Sequence, residues 1–285
     1  MNEPSDRGIV YVAAGEEFVK EARISAESVK AVMPDVPITL FTDQETVPPV
    51  FDNVHEMDGP RYDGGDRVFH ADQTPYERTL FLDTDIHFTE SVDEIFDLLN
   101  SFDVAACINQ RTYSSDRIDM PKINELPGAF PEYNGGVLAF RRTDRTEKFL
   151  SLWRETYREV LEHGQVHNQG ALRYALYHSD VRIATLRSEY NCVFRRAGCV
   201  NGPVKLFHGR LLDIDSYGAG KSASVEQAVE ELNSRTDLRA YYRLGDEVRL
   251  AEPTLGQRAQ RSLRQRGVVG TVKRVPKFLK RKVTS

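Results

Sequence analysis

Apolar positions in this chain fall into short unbroken runs separated by stretches with helical spacing. Residues 9–14 (IVYVAA) form the first run and predict a strand. After it, Phe18, Ala22, Ser25 or Ala26, Val29 and Met33 recur every three or four positions, predicting an amphipathic helix that Pro34 ends. Residues 37–43 (PITLFTD) predict a second strand, and β-α-β within 43 residues implies a right-handed crossover and a parallel pair. A stretch rich in Pro, Gly and Asp covers 47–66, then a short helix is expected near 67–73 and a third apolar run at 79–86 (TLFLDTDI). Further on, 93–99 reads as a short helix, and 104–108 (VAACI) and 136–140 (GVLAF) as strands. Residues 146–161 predict an amphipathic helix carrying Phe149, Leu152, Trp153, Tyr157, Val160 and Leu161; 168–177 reads as another helix and 204–207 as a short strand ending at His208. Between the strands at 104–108 and 136–140, residues 111–132 form a polar loop with three prolines, too long for a simple connection and of the kind that forms lids or acceptor sites. The chain has no internal repeat of 20–50 residues.

At 285 residues the chain can build one large α/β domain or two small ones. No apolar run approaches the roughly 18 residues that span a bilayer, and the N-terminus lacks a basic start followed by an apolar stretch, so a cytosolic body is expected. Cys107, Cys192 and Cys199 are odd in number and lack metal-site spacing, which predicts reduced, mostly buried thiols. The net charge of −5 hides an asymmetry: residues 253–285 hold ten Lys or Arg and no acid, leaving 28 basic against 43 acidic residues before them, a body near −15 and a tail of +10. The body repels nucleic acid and anionic membranes, and the tail attracts both. We therefore divide the chain into a globular domain, 1–250, and a basic tail, 251–285. In the tail, Leu255, Ala259 and Leu263 are interleaved with Arg258, Arg261, Arg264 and Arg266, and Val268, Val269, Val272, Val275, Phe278 and Leu279 follow amid Lys and Arg. That pattern predicts peripheral association with the cytoplasmic face of an anionic membrane, with a solvated tail as the alternative; no specific nucleic acid is expected.

The third apolar run drives straight into Asp83 and Asp85. Side chains at i and i+2 of a strand share a face, and ligands of open α/β sheets sit beyond the carboxyl ends of the strands. Two hard oxygen ligands suit Mg²⁺ or Mn²⁺, which can hold a diphosphate. Asp-x-Asp alone reads equally as capping or solvated acids.

The order of motifs is more specific than any one of them. A β-α-β unit, then FLDTD, YNGGVLAF, NQGAL, LRSEYN and FHG, spread over residues 8–210 or about 70% of the chain, resembles the GT-A fold glycosyltransferases, most closely glycosyltransferase family 8, the glycogenin and galactosyltransferase type. The resemblance implies an α/β GT-A (nucleotide-diphospho-sugar transferase) fold, a mixed, mostly parallel sheet flanked by helices. It implies a metal-dependent hexosyltransferase that moves a sugar, with retention, from a nucleotide sugar, UDP-sugar foremost, to a glycan, lipid-linked or protein acceptor. It also implies Asp83, Asp85 and His208 as ligands of Mn²⁺ or Mg²⁺, Arg67 as a contact to donor diphosphate or sugar, Asn134, Gly135 and Gly136 in the donor site, and Gln169 at the reactive face of the anomeric carbon. Asn168 stands where the family usually has an acid. Backbone groups of Tyr11, Ala13 and Ala14 would meet the base, and Gly209 and Arg210 the diphosphate.

The residue types are suited to these tasks. An imidazole beside two carboxylates moves the preferred ion from Mg²⁺ towards Mn²⁺. An arginine fork matches phosphate oxygens, and Gly-Gly lets backbone approach a ligand. A divalent cation on a departing diphosphate stabilises the transition state more than the ground state. Bland readings stand beside them: Arg67 as a surface partner of Asp63 or Asp66, Asn168 as a helix N-cap, His208 as a hydrogen-bonded strand end. The chain departs from the family in Ala13-Ala14-Gly15 after the first strand, in Asn168, and in lacking the lysine that follows the late histidine, whose charge Arg210, Lys205 or Lys221 would have to supply. Residues 218–222 (GAGKS) lack the earlier glycine of a phosphate loop, Asp215 standing there, and read as a loop that closes over the donor. The alternatives are a catalytically inactive GT-A module binding carbohydrate, favoured by Asn168, and a haloacid dehalogenase type phosphatase with Asp83 as nucleophile. Against the phosphatase stand His87 two residues after Asp85 and the roughly 80 residues before the strand.

Overall fold

Seven strands form the central sheet of a computed structural model that describes residues 6–110, 120–212 and 224–252, with the single positions Gln257, Gln260 and Arg264. The first half of the predicted polar loop, the GAGKS segment with Asp215 and Lys221, and nearly all of the anchor-like tail lie outside the described residues. The chain divides into two units, Met1–Arg249 and Leu250–Ser285.

In chain order the first unit runs β1 (Arg7–Ala13), α1 (Glu16–Val32), β2 (Ile38–Thr42), β3 (Asn53–Glu56), α2 (Gly65–His70), β4 (Arg78–Leu82), β5 (Ile86–Phe88), α3 (Asp93–Leu98), β6 (Val104–Ile108), α4 (Pro121–Asn124), β7 (Tyr133–Arg141), α5 (Asp144–Glu162) and α6 (Gln169–His178). It continues through β8 (Ile183–Leu186), β9 (Cys192–Val193), β10 (Gly198–Asn201), β11 (Leu206–His208), α7 (Val225–Asn233), β12 (Leu238–Leu244) and β13 (Glu247–Leu250), whose last residue falls in the second unit. The large sheet has the order β3-β2-β1-β4-β7-β6-β8. Every neighbouring pair is parallel except those made by β7, which opposes both β4 and β6.

Apolar runs rather than strict alternation mark these strands because both faces of the sheet are covered. On one face Ile9, Tyr11, Leu80 and Leu82 pack with Val19, Ala22, Ala26 and Val29 of α1 and Ile95 and Phe96 of α3. On the other, Val10, Phe81, Leu138 and Phe140 pack with Val68 of α2, Phe149, Trp153 and Tyr157 of α5, and Ala171 and Leu172 of α6. Thr143 caps α5, its hydroxyl accepting from Thr146 N–H at 3.2 Å.

The pattern names none of α4 (which lies inside the expected polar loop), β8, β9, β10, α7, β12 and β13, and three further features differ from the expectation. The strand predicted through residue 86 ends at Leu82, so Asp83-Thr84-Asp85 form a turn and β5 starts a separate small sheet, β5-β11-β9. The strand predicted from Gly136 begins at Tyr133, which puts Asn134-Gly135-Gly136 inside β7. β3 lies in the Pro/Gly/Asp-rich stretch as an exposed edge strand with no buried position, so it has no hydrophobic signal to read. Among the described residues, no helix is long and apolar enough to cross a membrane. Cys107 and Cys192 are buried, Cys199 is exposed, and none is in a disulfide.

Candidate active site

β4 delivers the first acid and β11 the imidazole. Asp83 N–H donates to Gly136 O at 2.9 Å, tying the turn to β7, and Asp85 O accepts from Gly209 N–H at 3.0 Å, tying it to the segment after β11. β11 runs antiparallel to β5 with His208 opposite Ile86, the residue after Asp85. That register, and not alternation along one strand, brings acids and ring together. Nε2 of His208 lies 3.3 Å from Asp85 Oδ1 and 3.8 Å from Asp83 Oδ2. One ligand atom from each of the three lies within 4.8 Å of the others.

Asn191 sets the ring. Its Oδ1 is 2.8 Å from His208 Nδ1, and its Nδ2 donates at 3.0 Å to Asn134 Oδ1, which also accepts from Gly136 N–H at 2.8 Å. With the Asn191 amide oriented by Asn134, Nδ1 of His208 donates to Asn191 Oδ1 and Nε2 is the ring nitrogen aimed at the acids, the arrangement of histidine metal ligands held by a second hydrogen bond.

Burial by itself would raise the Asp85 carboxyl; the charge and hydrogen bond of His208, with Arg210 and Arg195 beyond, outweigh it and hold Asp85 well below the usual carboxylate range. Behind the turn lies Glu21 of α1, fully buried. Its Oε2 accepts from Thr84 Oγ1 and Arg210 Nη1, both at 2.7 Å, and its Oε1 from Leu211 N–H at 3.0 Å. Burial, then the Asp85 charge, push the Glu21 carboxyl up against the pull of Arg210 and the hydrogen bonds. Glu21 thus joins α1, the acidic turn and the chain after His208.

Three observations fit a divalent ion carrying a diphosphate. The donor set, two carboxylates and an oriented imidazole, has the hardness for Mn²⁺ or Mg²⁺. A Cβ at Gly136 would stand 2.8 Å from Asp83 Oδ2 and inside the His208 ring's contact surface, so the cradle exists only with glycine there. The third is Arg67, nine-tenths buried on α2 with its guanidinium 4.8 Å above the Phe81 ring. Its Nε lies 3.1 Å from Asp83 Oδ1 without hydrogen-bond alignment, and its Nε and Nη2 make no hydrogen bond among the described residues. Buried donors of this kind want an acceptor. Gly135 is required for the same group, since a Cβ there would lie 2.8 Å from Arg67 Nη1.

Ala13, Ala14, Arg67, Asp83, Asp85, Asn134, Gly135, Gly136, Asn168, Gln169, His208 and Arg210 all line one cleft of about 470 Å³. Two predicted contacts do not. Tyr11 is in the interior of β1, paired to β2 and β4 on either side, and its buried hydroxyl is 2.7 Å from Ser25 Oγ of α1. Gly209 lies under the cleft, where a Cβ would be 2.6 Å from Phe194 Cζ; its absence of side chain serves packing.

Other side chains take different partners from those expected. Arg67 is not matched to Asp63 or Asp66: Asp66 accepts the N–H groups of Arg61 and Tyr62, and Asp63 pairs with Arg61. Asn168 is not a side-chain cap; its Nδ2 donates at 2.7 Å to Gly64 O, at the start of α2. The oxygen of Asn134 is spent inside the protein, which leaves its amide nitrogen for a ligand. Gln169 Oε1 accepts from Asn109 Nδ2 at 3.3 Å. Lys205 is engaged by Glu94, Glu90 and Ser91 O and does not line the cleft.

Asn191, Glu21 and Arg195 line or brace the candidate site and are not singled out by the sequence pattern. Glu21, Ser25 and Ser28 lie on the buried face of α1 at i, i+4 and i+7, a polar line within an apolar stripe that was open to reading. Asn191 sat unremarked in LRSEYN, and Arg195 carried no signal.

No protein-family model matches the chain, and no curated protein matches it either. Solved structures resemble it in shape. Mouse xyloside xylosyltransferase 1 in its apo form aligns with TM-score 0.51 at 13% identity, over 72% of this chain and 98% of its own. An active-site mutant of LgtC aligns with TM-score 0.50 at 16% identity, over 88% of this chain and 99% of its own. LgtC, a galactosyltransferase in complex with donor and acceptor sugar analogues, gives 0.49 at 16% identity over 74% and 92%. The chain has the GT-A glycosyltransferase fold, with its sheet, flanking helices and acid-bearing turn in the order the motifs implied.

Proposed function

We propose that this chain is a metal-dependent glycosyltransferase that transfers a sugar from a nucleotide-diphosphate donor, with retention of anomeric configuration. One observation carries the reading: Asp83, Asp85 and His208 converge in a cleft whose lining includes the buried guanidinium of Arg67, two nitrogens of which make no hydrogen bond among the described residues. Asp83, Asp85 and the Nε2 of His208 would hold Mn²⁺ or Mg²⁺, which when bound supplies positive charge to a departing diphosphate.

The chain's own groups do the rest. Asn191 holds the His208 ring. Arg67 takes up diphosphate or sugar oxygens bidentately. Gly135 and Gly136 let the donor lie against β7, and the Asn134 amide nitrogen donates to a sugar hydroxyl. Ala13 and Ala14, at the exit of β1, flank the nucleotide base. The other acids lining the cleft among the described residues, Asp63 and Asp66, are committed to Arg61 and to backbone N–H groups, so among the described residues no carboxylate is placed as a nucleophile. Attack by the acceptor hydroxyl from the face of the leaving diphosphate, beside Gln169, accounts for retention without one. The acceptor is a glycan, a lipid-linked glycan or a protein, the second favoured by the basic and apolar composition of residues 253–285.

A thermal-shift and calorimetric screen of UDP-, GDP- and dTDP-sugars with and without Mn²⁺ tests the reading. Metal-dependent stabilisation by at least one of them, UDP-sugar foremost, is expected. Loss of that effect in Asp85→Asn should follow, and no metal-dependent binding to any donor would remove the proposal. Slow hydrolysis of the bound donor separates an enzyme from a carbohydrate-binding module.

A further inference from the structure

Arg210 lines the cleft but is held from behind. Its Nη1 is 2.7 Å from the carboxylate of Glu21, a fully buried acid, and its guanidinium lies 5.3 Å from the Phe18 ring centroid. Arg195 is placed differently. It follows β9 on a turn closed by Arg196 N–H to Val193 O at 3.1 Å, its side chain is about a quarter exposed, and its one ion-pair partner among the described residues is Asp85, with Nη2 to Oδ2 at 3.6 Å, beyond hydrogen-bond reach. It is a cation in the cleft, loosely attached to a residue of the acidic pair.

Charge balance makes that attachment informative. A divalent ion held by Asp83 and Asp85 would cancel both acids and repel the guanidinium beside them. Arg210 keeps Glu21, and Asp63 and Asp66 keep their own partners. Of the four arginines lining the cleft, Arg67 and Arg195 are those that pair with the two acids a metal would take over. The diphosphate of a nucleotide sugar bears one negative charge on each phosphoryl group, which these two match.

We propose that Arg195, not Arg210, is the arginine that meets the donor diphosphate and the charge that grows on it. The inference rests on the glycosyltransferase reading above. In the transfer, the bond from the anomeric carbon to the diphosphate oxygen breaks with its electron pair on that oxygen. The acceptor oxygen forms the new bond to the same carbon, and its proton leaves with the diphosphate. Arg195 donates hydrogen bonds throughout and exchanges no proton, its guanidinium being permanently charged. Arg210 positions the chain after His208 through Glu21.

The test compares wild type, Arg195→Gln and Arg195→Lys by calorimetry, first with Mn²⁺ alone and then with UDP, GDP or dTDP, whichever wild type binds best, at saturating Mn²⁺. The Gln variant should bind Mn²⁺ alone about two- to fivefold more tightly, because a cation competing for Asp85 is gone. It should bind the nucleoside diphosphate about tenfold or more weakly, the size of a charge-assisted hydrogen bond. The Lys variant should recover part of that loss through its charge. A structural role would lower both affinities together with the melting temperature, and that result overturns the proposal. So does nucleoside diphosphate affinity within twofold of wild type. Wild type that binds Mn²⁺ but no nucleoside diphosphate removes the donor reading and this inference with it, whereas wild type and Arg195→Gln that bind equally well remove this inference alone.

Discussion

A missing methyl group defines the centre of the site. Gly136 has an ordinary strand position in β7, yet an alanine there would push into the His208 ring and Asp83 Oδ2. Gly136→Ala should therefore leave the fold recognisable by circular dichroism and weaken Mn²⁺ binding by about tenfold or more, since ligand positions off by a few tenths of an ångström lose coordination geometry. Asn191→Ala should lower Mn²⁺ affinity about 10- to 100-fold, the usual effect of removing a second hydrogen bond from a ligating histidine. Calorimetry with the metal alone checks both, and unchanged affinity in Asn191→Ala would show that the ring needs no anchor. These two residues also show what was legible. Asp83, Asp85, His208 and the Asn-Gly-Gly run announce themselves by type and motif order. Asn191 does not, because an amide acts here only through the register that seats it between Asn134 and His208. Arg67 was ambiguous for the same reason: its burial and its lack of matched acceptors are properties of the packed α2, not of its neighbours in sequence.

At the scale of elements, the long apolar strands and amphipathic helices were readable, and their ends were not. Nothing in TLFLDTDI says that β4 ends at Leu82; Asp83 N–H makes one more bond across to Gly136 O of β7, and Ile86 then leaves to pair with His208. Strands of two to four residues such as β9 and β10 are held by neighbours distant in sequence and have no periodicity of their own. Asp103 shows the same dependence on neighbours. It precedes β6, is almost fully buried, and accepts from the side chains of Arg141, Arg145 and Arg182 and from Arg182 N–H at 2.9 Å, which joins the start of β6 to the end of β7 and the start of β8. Burial would raise its carboxyl, but the Arg182 and Arg141 bonds hold it well below the usual range. A carboxyl depressed in the folded state stabilises fully above its unfolded pKa, about 3.9, and the contribution fades as pH falls towards the folded value. Asp103→Asn should thus lose about 1–3 kcal/mol at pH 7, a range kept low because the arginines are partly exposed. The melting-temperature gap from wild type should narrow below about pH 4. A gap independent of pH would mean that shape, not charge, ties the three strands.

The molecule as a whole is an acidic body near −15 joined to a tail of +10. Two surfaces attract such a tail, an anionic bilayer and the acidic face of a protein, and charge alone does not distinguish them. The apolar residues do. If the tail meets a bilayer, Val268, Val269, Val272, Val275, Phe278 and Leu279 would gain by insertion among lipid acyl chains, a gain that a solvated acidic protein surface would not supply. Basic residues close to an anionic membrane contribute about 1 kcal/mol each, so even part of the tail's charge suffices for reversible binding at moderate salt. We therefore expect the full chain to sediment with phosphatidylglycerol-containing vesicles and not with purely zwitterionic ones, and to be released as salt shortens the screening length from roughly 8 Å to 3 Å. A chain ending at residue 252 should stay in the supernatant. The double variant Phe278→Ser with Leu279→Ser decides between the two attractions, because it keeps every charge. Weaker vesicle binding at equal salt supports insertion and a lipid-linked acceptor presented at the same surface. Binding that is unchanged by the double variant, or that persists after truncation, would place the tail's partner elsewhere and turn the search for the acceptor towards soluble glycans.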